Sequence, residues 1–133
     1  MCFDKLKLMH IDCIHLVAPT TSEERLKKIL EEATGYIYYV SLRGVTGSDK
    51  LNPVDVSQKI NFVKKHTKLP VAVGFGISSR KSVSDIAKTD ADGVVIGSAL
   101  IRAMEEAGLE GESPIETVKI RLDDLSKGLS EKR

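Results

Sequence analysis

Two stretches of the chain give up their side chains where an apolar run ends. One is VAVGFGISS, residues 71–79, which brings Gly74 and Gly76 to the end of a β-branched segment; the other is GVVIGSALI, residues 93–101, which does the same with Gly97. A residue without Cβ at such a junction lets a ligand approach main-chain N–H groups that a side chain would shield. Ser98 follows Gly97 where helical spacing begins, so the unpaired amides of a first helical turn point outward beside the glycine, together with the positive end of the helix dipole. An anion suits that arrangement, and phosphate suits it best. A single G-x-G after a strand is commonly just a tight turn. Two junctions of the same kind in successive units carry the phosphate reading, because the loops after the last two strands of a barrel frequently form such a site. The dinucleotide fingerprint G-x-G-x-x-G is not matched, since Gly76 is followed by Ile77, Ser78 and Ser79, and no Walker A sequence is present.

The elements that must hold these junctions follow a repeating pattern. An apolar run at 11–19 ends in Pro19, and a helix follows with Leu26, Ile29, Leu30 and Ala33 on one face, Ser22 or Thr21 as its cap and Gly35 as its stop. YIYYVSL, residues 36–42, has the aromatic and β-branched content of a strand. A polar loop leads to Pro53, which suits a first helical turn, and Val56, Ile60 and Val63 then share a face. PVAVGF (70–75) reads as a strand before a helix that turns Val83, Ile86 and Ala87 inward; ADGVVIG (91–97) reads as a strand before a helix ended by Gly108. A last helix, about 114–129, is capped by Ser113 and carries Ile115, Val118, Leu122 and Leu125.

Four consecutive βα units with strands too apolar for one wet face imply a parallel sheet covered by helices. An open doubly wound sheet and part of a (β/α)8 barrel both fit, and a whole barrel needs about 250 residues. The chain has 133. With 41% hydrophobic residues and no Pro/Gly/Ser-rich linker, residues 1–133 are expected to form a single domain.

Composition excludes several classes. Twenty basic residues against nineteen acidic ones give no electrostatic case for nucleic acid or an anionic membrane, and the longest apolar runs are about half of a membrane span. Cys2 and Cys13 show no metal or disulfide spacing. Asp4, Lys5, Lys7 and Asp12 break up the start of the chain, which therefore does not read as an export signal. The expected compartment is the cytoplasm. His10, His15 and His66 have no acid/base partner nearby in sequence and are read as structural.

APTTSEERLKKI, GYIYYVSLRGVTG, PVAVGFGISS and ADGVVIGSALI occur in an order and spacing that resembles the tryptophan synthase alpha subunit, over a stretch from about Asp4 to the C-terminal helix. The resemblance implies a TIM (β/α)8 barrel of which these are the last four units, so that the chain is expected to be the C-terminal half of a truncated product. It implies retro-aldol cleavage of indole-3-glycerol phosphate to indole and glyceraldehyde 3-phosphate, with indole passed to a beta subunit. It places the phosphate on Gly47, Gly76, Gly97 and Ser98 and the indole pocket at Tyr38, Phe75 and Val95, and it puts Thr46 in a mobile loop that closes over substrate. No metal and no cofactor are implied for this chain, PLP belonging to the beta subunit. Arg43 receives no role.

The reaction needs two carboxyl groups, because indole leaves only after protonation at C3. In the family both belong to the second strand of the barrel and its loop, which lie outside this sequence. Asp49, Asp90 and Asp92 are near loops, but the last two precede their strand and so belong to the end of the sheet opposite the phosphate. The chain alone is therefore expected to bind without turning over. Half a barrel also leaves edges and one sheet face uncovered. A separate N-terminal half-barrel or a second copy of the chain would cover them, and a non-catalytic module that binds a phosphorylated metabolite or a partner subunit is the competing reading.

Overall fold

Ser22, Ser79 and Ser113 each start a helix by accepting a hydrogen bond from the amide three residues ahead, at 3.3, 3.2 and 3.5 Å. This is the local chemistry that replaces the missing intrahelical partners of a first turn. The computed structural model describes residues 2–41, 53–74 and 76–132. In chain order the elements are α1 (Cys2–Leu8), β1 (His15–Val17), α2 (Glu23–Glu32), β2 (Ile37–Val40), α3 (Pro53–Lys64), β3 (Val71–Gly74), α4 (Arg80–Ala87), β4 (Gly93–Val95), α5 (Ser98–Glu110), α6 (Pro114–Ser126) and a closing 3₁₀ turn, Lys127–Lys132.

The four strands form one parallel sheet in the order β1-β2-β3-β4. Alternation along the strands divides its side chains between two faces. Val17, Ile37, Tyr39, Val71 and Val73 point to the helices and are buried with Leu26, Val56, Ile60, Val63, Val83, Ile86 and Leu125 in one core. Each such side chain contributes roughly 1.5–3 kcal/mol by leaving water. The register puts Leu16, Tyr38, Ala72 and Gly93 in one row across the opposite face, and Val40, Gly74 and Val95 in the row above it. Leu16 is 63% exposed there, so no described element covers this face. Sequential parallel strands with right-handed crossovers put the connecting helices on one side, which is the arrangement of half a barrel.

Asp92 fastens the N-terminal end of the sheet. Its Oδ2 accepts the Val71 amide at 2.8 Å, and the Lys64 ammonium reaches its Oδ1 at 3.0 Å. One carboxylate thus ties the end of α3 to the beginnings of β3 and β4.

Several expectations from sequence need correction. The strands are shorter than their apolar runs; β1, for example, covers three residues of 11–19. Gly108 does not end α5, which continues to Glu110 and stops at Gly111 in the left-handed conformation (φ 75°). The cost of an internal glycine, about 1 kcal/mol, is accepted because Ala107 is buried and the chain can turn at Gly111, where the Glu112 amide donates to the Ala107 carbonyl at 2.8 Å. Gly35 is not the cap of α2, which ends at Glu32 with Ala33 as its cap; its φ of 70° and the closeness of Ile14 Cδ1, 2.7 Å from where a Cβ would stand, account for the glycine. On α6, Leu125 is fully buried, but Ile115 and Leu122 lie on a side that no described residue covers and are exposed.

Candidate functional site

Val95 pairs with Gly74 in the register of β3 and β4, so Gly76 and Gly97, each two residues further on, leave the sheet side by side at its C-terminal rim. Gly76 has φ 71°, a conformation that side chains rarely adopt. Gly97 precedes α5 and has no side-chain cap; its carbonyl accepts the amides of Leu100 at 2.9 Å and Ile101 at 3.2 Å. The amides of Ser98 and Ala99 come before the first intrahelical donors and belong to the exposed positive end of the helix. A Cβ placed on Gly97 would meet nothing within 4 Å. The space beside that helix start is therefore not required by the packing of the protein itself.

Tyr38 and Val95 lie on the uncovered sheet face, in adjacent rows below this rim. Two strand residues, about 7 Å, separate Val95 from Gly97. Gly76, Gly97, Ser98, Tyr38 and Val95 are thus brought together at one end of the sheet. Gly47, Thr46 and Phe75 fall outside the described residues, as do Arg43 and Asp49.

Gly74 has a different explanation from the one its sequence suggests. A Cβ there would stand 2.5 Å from Tyr38 Cζ, 3.2 Å from Cε1, and would overlap the phenolic oxygen. The side chain is absent to make room for the tyrosine, not to bare an amide for a ligand. The Gly74 carbonyl is also held by Ser41, whose amide and hydroxyl donate to it at 2.9 and 2.8 Å. Ser41 belongs to no motif, and only its place at the end of an apolar strand marks it in the sequence.

Three of the described acids are held by local partners. Asp92 is at the opposite end of the sheet, as its order before β4 implies. Glu23 and Glu24, in the first turn of α2, pair with Lys27 and Lys28 on that helix, both at 2.9 Å. Two of the histidines sit against main-chain carbonyls, His15 Nδ1 at 3.2 Å from Cys13 O and His66 Nδ1 at 2.9 Å from Phe62 O, and His10 is exposed where α1 ends. On the outer side of the rim a groove of about 900 Å³ runs between α5 and α6, lined by Ser78, Ala99, Ala103 and Arg121 among others.

A one-sided parallel βα sheet with glycines and a helix start gathered at its C-terminal rim is the architecture of a (β/α)8-barrel enzyme, represented here by four of its units. The profile of the tryptophan synthase alpha chain family matches residues 2–130, and the chain belongs to that family. It is 50% identical over 103 residues to the tryptophan synthase alpha chain of Polynucleobacter necessarius subsp. necessarius (strain STIR1), an alignment that covers 77% of this chain and 38% of that protein. It is similar in structure to the subunit alpha of Legionella pneumophila str. Paris, with a TM-score of 0.81, 30% identity and coverage of 96% of this chain and 46% of the other. The alpha subunit of Pyrococcus furiosus gives a TM-score of 0.77 at 34% identity, with 94% and 49% covered. The chain spans about half the length of the relatives it matches.

Proposed function

We propose that the chain forms the phosphate- and indole-contacting half of a tryptophan synthase alpha-type lyase, which cleaves indole-3-glycerol phosphate to indole and glyceraldehyde 3-phosphate in tryptophan biosynthesis. The observation that supports it is the start of α5, where Gly97 leaves open space directly beside the exposed first-turn amides of Ser98 and Ala99. The phosphate would take those amides and that of Gly76. The three-carbon chain would then run down the rim and lay the indole against Tyr38 and Val95 on the uncovered face. Gly47, Thr46 and Phe75 join this assignment through the resemblance.

Cleavage also needs a general acid to protonate indole C3 and a carboxylate for the indole N–H. Each such group is worth about 10² to 10⁴ in rate, and the resemblance puts both in the units upstream of this sequence. On this reading the chain by itself is a binding half. The complementary half-barrel would supply the acids and cover the sheet face on which Leu16 and Tyr38 lie, and a second copy of the chain is the other candidate for that cover. A beta subunit with its own PLP would receive the indole, and this chain would need no cofactor. On this reading the protein works in the cytoplasm. The competing reading is a module without catalysis that binds a phosphorylated metabolite or a partner subunit, and it takes the same open helix start as its support.

The test is an indole-release assay on indole-3-glycerol phosphate with the chain alone and with four added upstream βα units carrying the two carboxyls. Release only in the complemented sample is expected, and its loss in Gly97→Val. Turnover by the chain alone would overturn the placement of the acids; binding without turnover in the complemented sample would favour the module.

A further inference from the structure

We infer that Arg121 is a positioning residue for the anion-binding rim, holding the loop that carries Gly76 from outside the barrel. This rests on the phosphate reading above. Its Nη2 donates to the Ser78 carbonyl at 2.9 Å across 43 residues of sequence. That carbonyl needs such a donor. Ser79 is the cap of α4, and its own carbonyl already accepts the Val83 amide at 3.0 Å. Ser78 stands one residue outside the helix, where no intrahelical N–H can reach it.

The same peptide is held from its other side. The Ser82 hydroxyl oxygen accepts the amides of Ser78 and Ser79 at 3.3 and 3.0 Å. Ile77 is buried at 3% exposure and anchors the turn from below, directly after Gly76. Arg121 therefore completes a clamp whose free end is the glycine amide offered to the ligand.

The packing of α6 fixes where the guanidinium sits. Leu125, one turn after Arg121, is fully buried in the core. Beyond it, the 3₁₀ turn lies against the first turn of α4: a Cβ on Gly128 would stand 2.6 Å from the Arg80 carbonyl oxygen and 2.9 Å from Val83 Cβ. The C-terminal segment is thus pressed onto the helix that follows the anion loop. Arg121 turns that contact into a hydrogen bond with the loop, one of the stronger kind because its donor is charged.

The experiment titrates the ¹⁵N-labelled 133-residue chain with inorganic phosphate and follows amide shifts, comparing the parent with Arg121→Met, Arg121→Lys and Gly97→Val. Methionine keeps the apolar stem and removes the donors. The expected result for Arg121→Met is a melting temperature lowered by only a few degrees, faster amide exchange at Ile77 and Ser78, and phosphate affinity weakened about tenfold, with Arg121→Lys recovering part of the loss. Arg121→Met binding like the parent, while Gly97→Val does not bind, would overturn the positioning role and leave the phosphate site standing. Phosphate shifts absent from Gly76, Gly97 and Ser98 in the parent would overturn the site and the role with it.

Discussion

The phenol of Tyr38 occupies the volume that a side chain on Gly74 would fill, so these two residues, in adjacent strands, are a single packing unit on the uncovered face of the sheet. Gly74→Ala should lower stability by about 1–3 kcal/mol, the usual cost of overpacking. Tyr38→Phe should not relieve it, because Cζ stays within 2.5 Å of the new methyl. Tyr38→Ala in the same chain should. Urea unfolding of Gly74→Ala, Tyr38→Ala and the double variant gives the coupling; additive effects would show that the ring adjusts independently of residue 74.

Asp92 divides stability from binding. Asp92→Ala leaves the Val71 amide without its acceptor and Lys64 without its partner, and should cost about 1–2 kcal/mol. Phosphate affinity should not change, since the carboxylate is at the far end of the strands from Gly97. The pair of measurements is a urea midpoint and a phosphate titration on the same variant.

Alkaline pH should weaken the fold through Tyr39. Burial first, and the nearby Asp55 carboxylate second, push its phenol up to about 12 from an ordinary 10.0. Above pH 10 the unfolded chain has released a proton that the folded chain keeps, so raising the pH from 10 towards 12 favours unfolding. The stability that the neutral phenol confers is fully present below pH 10. Tyr39→Phe should flatten stability across this window, as measured by denaturant midpoints at pH 9, 10 and 11 (about one unit apart); a slope identical to the parent's would assign the loss to other groups.

The sequence announces the helices of this protein better than its glycines. Ser22, Ser79 and Ser113 lie three residues from the amides they accept, so their role is visible in a short window. The inward faces of α3 and α4, Val56, Ile60, Val63, Val83, Ile86 and Ala87, follow from helical spacing alone. Gly108 and Gly111 are both plausible stops by type, and only the burial of Ala107 decides between them. Gly74 looks like Gly97 in sequence, yet one accommodates a tyrosine from the neighbouring strand and the other faces open space. The bond from Arg121 to Ser78 spans 43 residues and depends on how α6 lies against α4, which no local pattern encodes.

Strand order equals chain order throughout the sheet. Each described strand therefore finds a neighbour within one crossover, while α6 and the closing turn dock later, on α4. That wiring is as local as a parallel sheet allows, and during synthesis on the ribosome each new βα unit can add to the one just made, in the direction of translation.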